Sequence, residues 1–197
     1  MATSNQPALW KKFKKGNQAA FSTLYHHYYA SLYFYALKAT GCPTTAQECV
    51  QDLFVTLWNS RERLGDVLQV KAYLFKALRS IIQRAPGTTL TDALQAHHAL
   101  TFSPEDFLIR QEDDAYRQDT LAEVLNRLPA RQREAVYLKY YEDLSYPEIA
   151  EVLHINYQSA VNLIYQAFQQ LKQQPALREL ITHYQWYPLL LAASTLF

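Results

Sequence analysis

The side chains with chemistry to offer are cations and amides, and they fall into two groups. Arg61, Arg63, Lys71, Lys76, Arg79 and Arg84 follow one another in the first half of the chain, with Tyr73 among them. Guanidinium and ammonium groups can neutralise phosphates, and a tyrosine ring can stack on an unpaired base, whatever their spacing. Plain surface charge is the competing reading for each. The second group, Gln158, Ser159, Asn162 and Gln166, recurs at about one helical turn near the other end. Amides of this kind pair well with the edge of adenine. No catalytic set accompanies either group. His26-His27 and His97-His98 are adjacent pairs rather than metal-spaced ligands, and no glycine-rich loop could cradle a phosphate. Cys42 and Cys49 read as two reduced structural thiols rather than a disulfide, and a metal set of His26, Cys42 and Cys49 is conceivable but disfavoured. The expectation is a protein that is not an enzyme and needs no cofactor or metal.

Both groups need helices to position them. The amides fall on the last of three short helical patterns. Pro129 suits a first helical turn, and behind it Val136, Tyr140 and Leu144 mark an apolar side. Ser145-Tyr146-Pro147-Glu148 has the form of a capping box, followed by Ile149, Ala150, Val152 and Leu153. Asn156 can cap a helix from about Tyr157 to Leu171, with Ala160, Val161, Ile164, Ala167, Phe168 and Leu171 on its buried side. A short helix, a tight turn and a longer helix make a helix-turn-helix, whose second helix normally enters the major groove. In the first half, a basic helix ends at Gly16, and Asn17 can cap a long aromatic helix running to about Thr40. Thr45-Ala46-Gln47-Glu48 reads as another capping box, opening a helix through Val50, Leu53, Phe54, Leu57 and Trp58. Residues 59–66 read as a loop, and Val70 to Arg84 as a further helix.

Composition agrees. Gly occurs only 4 times while hydrophobic residues make up 49%, which suits a helical globular chain long enough for one large or two small domains. There is no secretory signal and no run of about 18 apolar residues, so the expectation is a cytoplasmic protein without a membrane span. The net charge of +1 is unevenly spread: residues 1–84 carry 11 basic and 4 acidic side chains, and residues 85–197 carry 8 and 14. The basic half has the better electrostatic claim on nucleic acid, the reverse of what a helix-turn-helix in the second half leads one to expect.

These motifs resemble those of a known family. Leu128-Pro129, Arg131 to Glu134, Tyr140 to Tyr146, Glu148-Ile149-Ala150 and Val152-Leu153 look like the promoter-reading domain of bacterial extracytoplasmic-function (ECF) sigma factors. That signature alone would also fit response-regulator DNA-binding domains. The first half decides, because Phe21-x-x-Leu24-Tyr25, Ala46 to Trp58 and Lys71 to Ser80 resemble the family's polymerase-binding and strand-opening domain in the right order. The match is closest to divergent members typical of Bacteroidetes. The resemblance implies an all-α fold of two helical domains, an N-terminal bundle over 8–85 and a C-terminal helix-turn-helix over 121–174. A linker, 86–120, joins them, and an apolar tail, 175–197, follows. It implies that Glu48, Gln51, Asp52 and Val55 dock on the coiled coil of the RNA polymerase largest subunit, and that the loop over 59–66 captures an unstacked base of the −10 element. Promoter DNA and core RNA polymerase are then the partners, with an anti-sigma protein a further candidate.

Two departures qualify the resemblance. The helix holding Arg79 runs into Ala85-Pro86-Gly87, which shortens its duplex-facing end. More important, no Lys or Arg occurs from residue 140 to 171, where the family reads the −35 element with basic side chains. Phosphate contacts supply most sequence-independent affinity, so autonomous −35 recognition should be weak. This points to a factor recruited partly by a separate DNA-targeting protein, an RNA-guided one among the candidates, through the C-terminal half or the apolar tail. A non-initiating decoy that binds polymerase or an anti-sigma protein is the alternative. Glu112, Asp113 and Asp114 in the linker are either a nucleic-acid mimic or a solvated face. The tail is either a partner surface or returning core.

Overall fold

The computed structural model describes residues 6–84, 100–106 and 114–177. Eight α-helices and two single 3-10 turns make up the regular structure of these residues, and no strand occurs among them. The expected all-α fold is what the chain adopts. Most of the linker, including a weak helical pattern from Asp92 of which only Leu100 is described, and the whole tail beyond Leu177 lie outside the described residues, as does the acidic pair Glu112 and Asp113.

The first half is a bundle of α1 (Gln6–Lys14), α2 (Gln18–Thr40), α3 (Pro43–Ser60) and α4 (Val70–Ile82). Local chemistry sets most of its boundaries. Asn17 caps α2 by accepting from the Ala20 N–H at 2.8 Å, and Gly41 ends it in the left-handed conformation, φ 66°. Such a conformation costs a residue with a Cβ and so favours glycine at a helix end. The start of α3 differs from the capping box expected at Thr45. Pro43 takes the first helical position and Cys42 stands before it, because proline has no N–H to leave unsatisfied there and its fixed φ is already helical. The helix also runs on to Ser60, so Asn59 is helical, and a 3-10 turn, Arg61–Arg63, opens the loop.

Trp10 and Phe13 bury α1 against α2 and α4. The indole N–H of Trp10 donates to the Gly65 carbonyl at 3.1 Å, and Lys14 pairs with Asp66 at 2.8 Å. The basic helix thereby fastens the loop that follows α3. Val50, Leu53, Phe54 and Leu57 form the buried stripe of α3, as its spacing predicts.

The second half holds α5 (Asp114–Asn126), α6 (Ala130–Tyr140), α7 (Tyr146–Leu153) and α8 (Tyr157–Lys172). The capping box at Ser145 is realised: the Glu148 carboxylate accepts from the Ser145 backbone N–H at 2.8 Å. Asn156 caps α8 by accepting from the Ser159 N–H at 2.7 Å. Between them His154 takes a left-handed φ of 53°, and the Ile155 N–H reaches back to the Ala150 carbonyl at 3.0 Å. That reversal is the turn of the helix-turn-helix.

The two halves meet along α4, which lies against α7. Their cores are continuous. Tyr35 of α2 sits edge-on to Phe75 of α4 at 5.2 Å and tilted against Tyr137 of α6 at 6.0 Å. Residues 100–106 return to this seam. Leu100 and Phe102 are buried, Phe102 lies against Tyr137 and Tyr141, and Asn126 grips the Phe102 backbone through both its N–H (2.9 Å) and its carbonyl (2.8 Å). Lys38 at the end of α2 pairs with Asp106 at 2.5 Å. Ser103-Pro104-Glu105-Asp106, whose pattern suits a helix start, holds the 3-10 turn Pro104–Asp106.

Candidate polymerase and nucleic-acid interface

Three surfaces carry the side chains singled out by the sequence. The first is the outer face of α3. Burial of Val50, Leu53, Phe54 and Leu57 leaves Glu48, Gln51, Asp52 and Val55 pointing away from the bundle, and all four are exposed. Val55 is 58% exposed, an uncompensated apolar side chain flanked by two carboxylates and an amide.

The second surface is the loop after α3 together with α4. The Arg61 guanidinium lies over the Trp58 ring at 4.7 Å and donates to the Trp58 carbonyl at 2.8 Å, which anchors it beside the aromatic cluster rather than extended into solvent. Arg63 is exposed. Tyr73 is half-buried with its ring edge-on to Trp10 at 5.3 Å, so one side of it already has an aromatic partner. Arg84 lies just past α4, exposed, with its Nε donating to the Ser80 carbonyl at 2.9 Å.

The three cations within α4 are all engaged across the seam. Lys71 pairs with Glu142 at 2.9 Å and also donates to the Glu142 carbonyl. Lys76 reaches Glu151 of α7 at 3.5 Å. Arg79 makes a two-pronged contact with Glu134 of α6, Nε to Oε1 at 2.8 Å and Nη2 to Oε2 at 3.3 Å. The Tyr35 hydroxyl donates to the same Oε1 at 2.6 Å. Burial, and then the negative charge of Glu134, push the Tyr35 phenol well above its ordinary range. It therefore stays a donor at any physiological pH. Glu142 is likewise satisfied from two sides, because the Tyr137 hydroxyl donates to its Oε1 at 3.1 Å. Glu134, Glu142 and Glu151 were not legible as site residues from the sequence. Their one signal was the opposite charge of the two halves.

The third surface is the outer face of α8. Gln158, Asn162 and Gln166 are exposed along it, and Gln158 and Asn162 bond to each other at 3.1 Å. Ser159 is half-buried. Tyr157 and Tyr165 add exposed aromatic area, 55% and 49%. The face carries amides and phenols and no formal charge.

Comparison with known proteins settles the family. A profile described as "Sigma-70 region 2" matches residues 24–85, and one described as "Sigma-70, region 4" matches residues 118–171, together more than half of the chain. The chain belongs to the ECF sigma factors. Among its curated relatives is the ECF RNA polymerase sigma factor SigL of Mycobacterium tuberculosis, 27% identical over 138 residues, covering 70% of this chain and 78% of the relative. Another is SigW of Bacillus subtilis, 23% identical over 178 residues, with 83% and 93% covered. Two solved structures share the fold. One is CnrH in complex with the cytosolic domain of CnrY, with a TM-score of 0.62 at 21% identity, covering 86% of this chain and 96% of that one. The other is the sigma factor RpoE in complex with the anti-sigma factor NepR from Bartonella quintana, with a TM-score of 0.54 at 20% identity, covering 78% and 94%. As a sigma factor the chain binds RNA polymerase and promoter DNA in transcription initiation. No helix among the described residues is long and apolar enough to cross a membrane.

Proposed function

We propose that this sigma factor initiates transcription with a division of labour between its halves. The outer face of α3, through Glu48, Gln51, Asp52 and Val55, docks on the polymerase. Arg61 and Arg63 hold phosphates beside a base taken out of the stack at the −10 element, and Lys71, Tyr73, Lys76, Arg79 and Arg84 continue that contact along α4. Unpairing a base costs a few kcal/mol and is offset only where a pocket and cations receive the strand. Gln158, Ser159, Asn162 and Gln166 on α8 read the −35 element with weak affinity. The observation that carries this division is the uncharged face of α8 in a domain whose fold is otherwise intact: hydrogen-bonding groups remain and phosphate-neutralising ones are gone.

Such a factor benefits from a second protein already on the DNA, recruited through its C-terminal half. The likeness to CnrH and RpoE, each solved with a bound partner, supports an anti-sigma protein as a further partner. A reporter screen of a randomised promoter library tests the reading. Selection at −10 with little selection at −35 is the expected result, and a strong −35 motif would defeat it.

A second reading, a decoy that binds polymerase or an anti-sigma protein without initiating, is favoured by one observation: the cations of α4 are occupied from within the chain. Run-off transcription with purified polymerase separates the two, because a decoy yields no new transcript even from a premelted template.

A further inference from the structure

The first carboxylate in the chain is Glu48, and ahead of it Lys11, Lys12, Lys14 and Lys15 crowd around the end of α1. The last turn of a helix favours a cation, but lysines this close repel one another, and Lys11 with Lys15 adds a like-charge pair at four-residue spacing. Lys14 meets Asp66 at 2.8 Å. Lys11, Lys12 and Lys15 are exposed, and no carboxylate among the described residues pairs with them. Stability of α1 therefore gives no reason for the three spare charges.

Three contacts set this helix against the loop after α3. Trp10 donates to the Gly65 carbonyl, Lys14 holds Asp66, and the turn at Gly16, φ 80°, lies beside Arg61, whose Nε is 3.5 Å from the place a Cβ on Gly16 would take. The hydrogen bond from Lys14, with Lys11 adding to it from farther off, keeps the Asp66 carboxyl below its ordinary range. Glu62, the other carboxylate of the loop, pairs with Arg61 at 3.2 Å. Both anions of the loop are thus answered within the fold, and α1 touches the turn that carries the exposed Arg63. Helix α1 precedes residues 24–85, which the region 2 profile matches, so that match assigns it no role.

We propose that Lys11, Lys12 and Lys15 form a further nucleic-acid contact, a cationic shelf that holds phosphates of the unpaired strand whose base the loop over 59–66 receives. The proposal rests on the reading of that loop as the −10 capture site. Lysine suits the task, because a compact ammonium on a flexible stem neutralises phosphate without reading sequence. The shelf supplies affinity, and base selection stays with the loop. Lys14 is a positioning residue: it fastens the loop to the shelf and cancels a carboxylate that would repel the strand.

The test uses holoenzyme assembled from the full chain and core RNA polymerase, with a fluorescent premelted duplex carrying a −10 element recovered from the promoter screen. Affinity is measured across a range of salt concentrations. Lys11→Gln, Lys12→Gln and Lys15→Gln together should flatten the slope of log K against log salt by about 2, at about 0.7 for each phosphate contact to a single strand. Lys11→Arg, Lys12→Arg and Lys15→Arg together should keep the parent slope, which a merely structural role for the lysine side chains would not predict. An unchanged slope in the glutamine variant overturns the shelf. So does a loss of its affinity for core polymerase without DNA, which makes the partner an acidic protein surface. Arg63→Gln separates the shelf from the reading beneath it. A flatter slope with Arg63→Gln alone overturns the shelf and leaves the loop reading intact, whereas no change with either variant overturns both.

Discussion

The Arg79 guanidinium and the Glu134 carboxylate form a forked pair at 2.8 and 3.3 Å, and they do so between helices that belong to different halves of the molecule. Glu134 is 7% exposed and accepts in addition from Tyr35, so its charge is held by two donors from the first half and cannot be left alone without cost. This contact, more than any within a single half, decides what happens when either partner is altered.

Replacing Arg79 by Ala leaves Glu134 buried without its cation and should destabilise the closed protein by about 3 kcal/mol, the scale for breaking a buried pair from one side. Tyr35→Phe removes one donor and should cost about 1 to 2 kcal/mol. Urea unfolding of the single and double variants gives the coupling. Strictly additive losses would show that the two donors do not share the carboxylate.

Asn126→Ala removes both hydrogen bonds to the Phe102 backbone. The expected loss is about 1 to 2 kcal/mol, together with faster chymotrypsin cleavage at Phe102. Unchanged cleavage would mean that Leu100 and Phe102 hold the segment by burial alone.

Alkaline pH should loosen the molecule. Burial pushes the Tyr28 and Tyr140 phenols up to about 12, and burial with adjacent carboxylates raises Tyr35 and Tyr137 as well. These folded values lie above the unfolded value of about 10, so the stabilisation is complete below about pH 10 and is lost as pH climbs from there through about 12. Urea midpoints should be level between about pH 8 and 9.5 and fall steeply above about pH 10. Tyrosine absorbance at 295 nm, near the phenolate band, should rise together with unfolding.

The two thiols should differ in reactivity. A hydrogen bond from the Thr45 side chain, then one from its backbone, lowers the exposed Cys42 thiol, whereas burial raises Cys49. An aromatic disulfide reagent at neutral pH should modify one thiol quickly and the second only on unfolding. Two equal fast phases would contradict the placement of Cys49 on the inner side of α3.

What the sequence made legible was local. The Ser145–Glu148 box, the Asn156 cap and the buried stripe of α3 each depend on residues within a turn or two, and each is found where the pattern puts it. The start of α3 went astray because Thr45 and Glu48 satisfy the same template as a true cap, while Pro43 supplies a stronger one two residues earlier. The roles of single site residues were the least legible. Lys71, Lys76 and Arg79 could be listed as cations, but their partners lie 71, 75 and 55 residues away. No periodicity reports a contact of that span. Tyr73 could be singled out as a ring, but its edge-on contact with Trp10 of α1 could not be read from the pattern.

The seam through Phe75, Tyr35 and Tyr137 has a further consequence. Arg84 and Leu100 both lie on the folded body, and the contacts of Tyr35 with Phe75 and Tyr137 join the halves without drawing on the backbone between those two residues. A single cut in that stretch should leave a stable two-chain particle. Expressed as separate polypeptides, the two pieces should find each other, much as subunits of an obligate heterodimer do, and their affinity would report directly on the work needed to pull this sigma factor open.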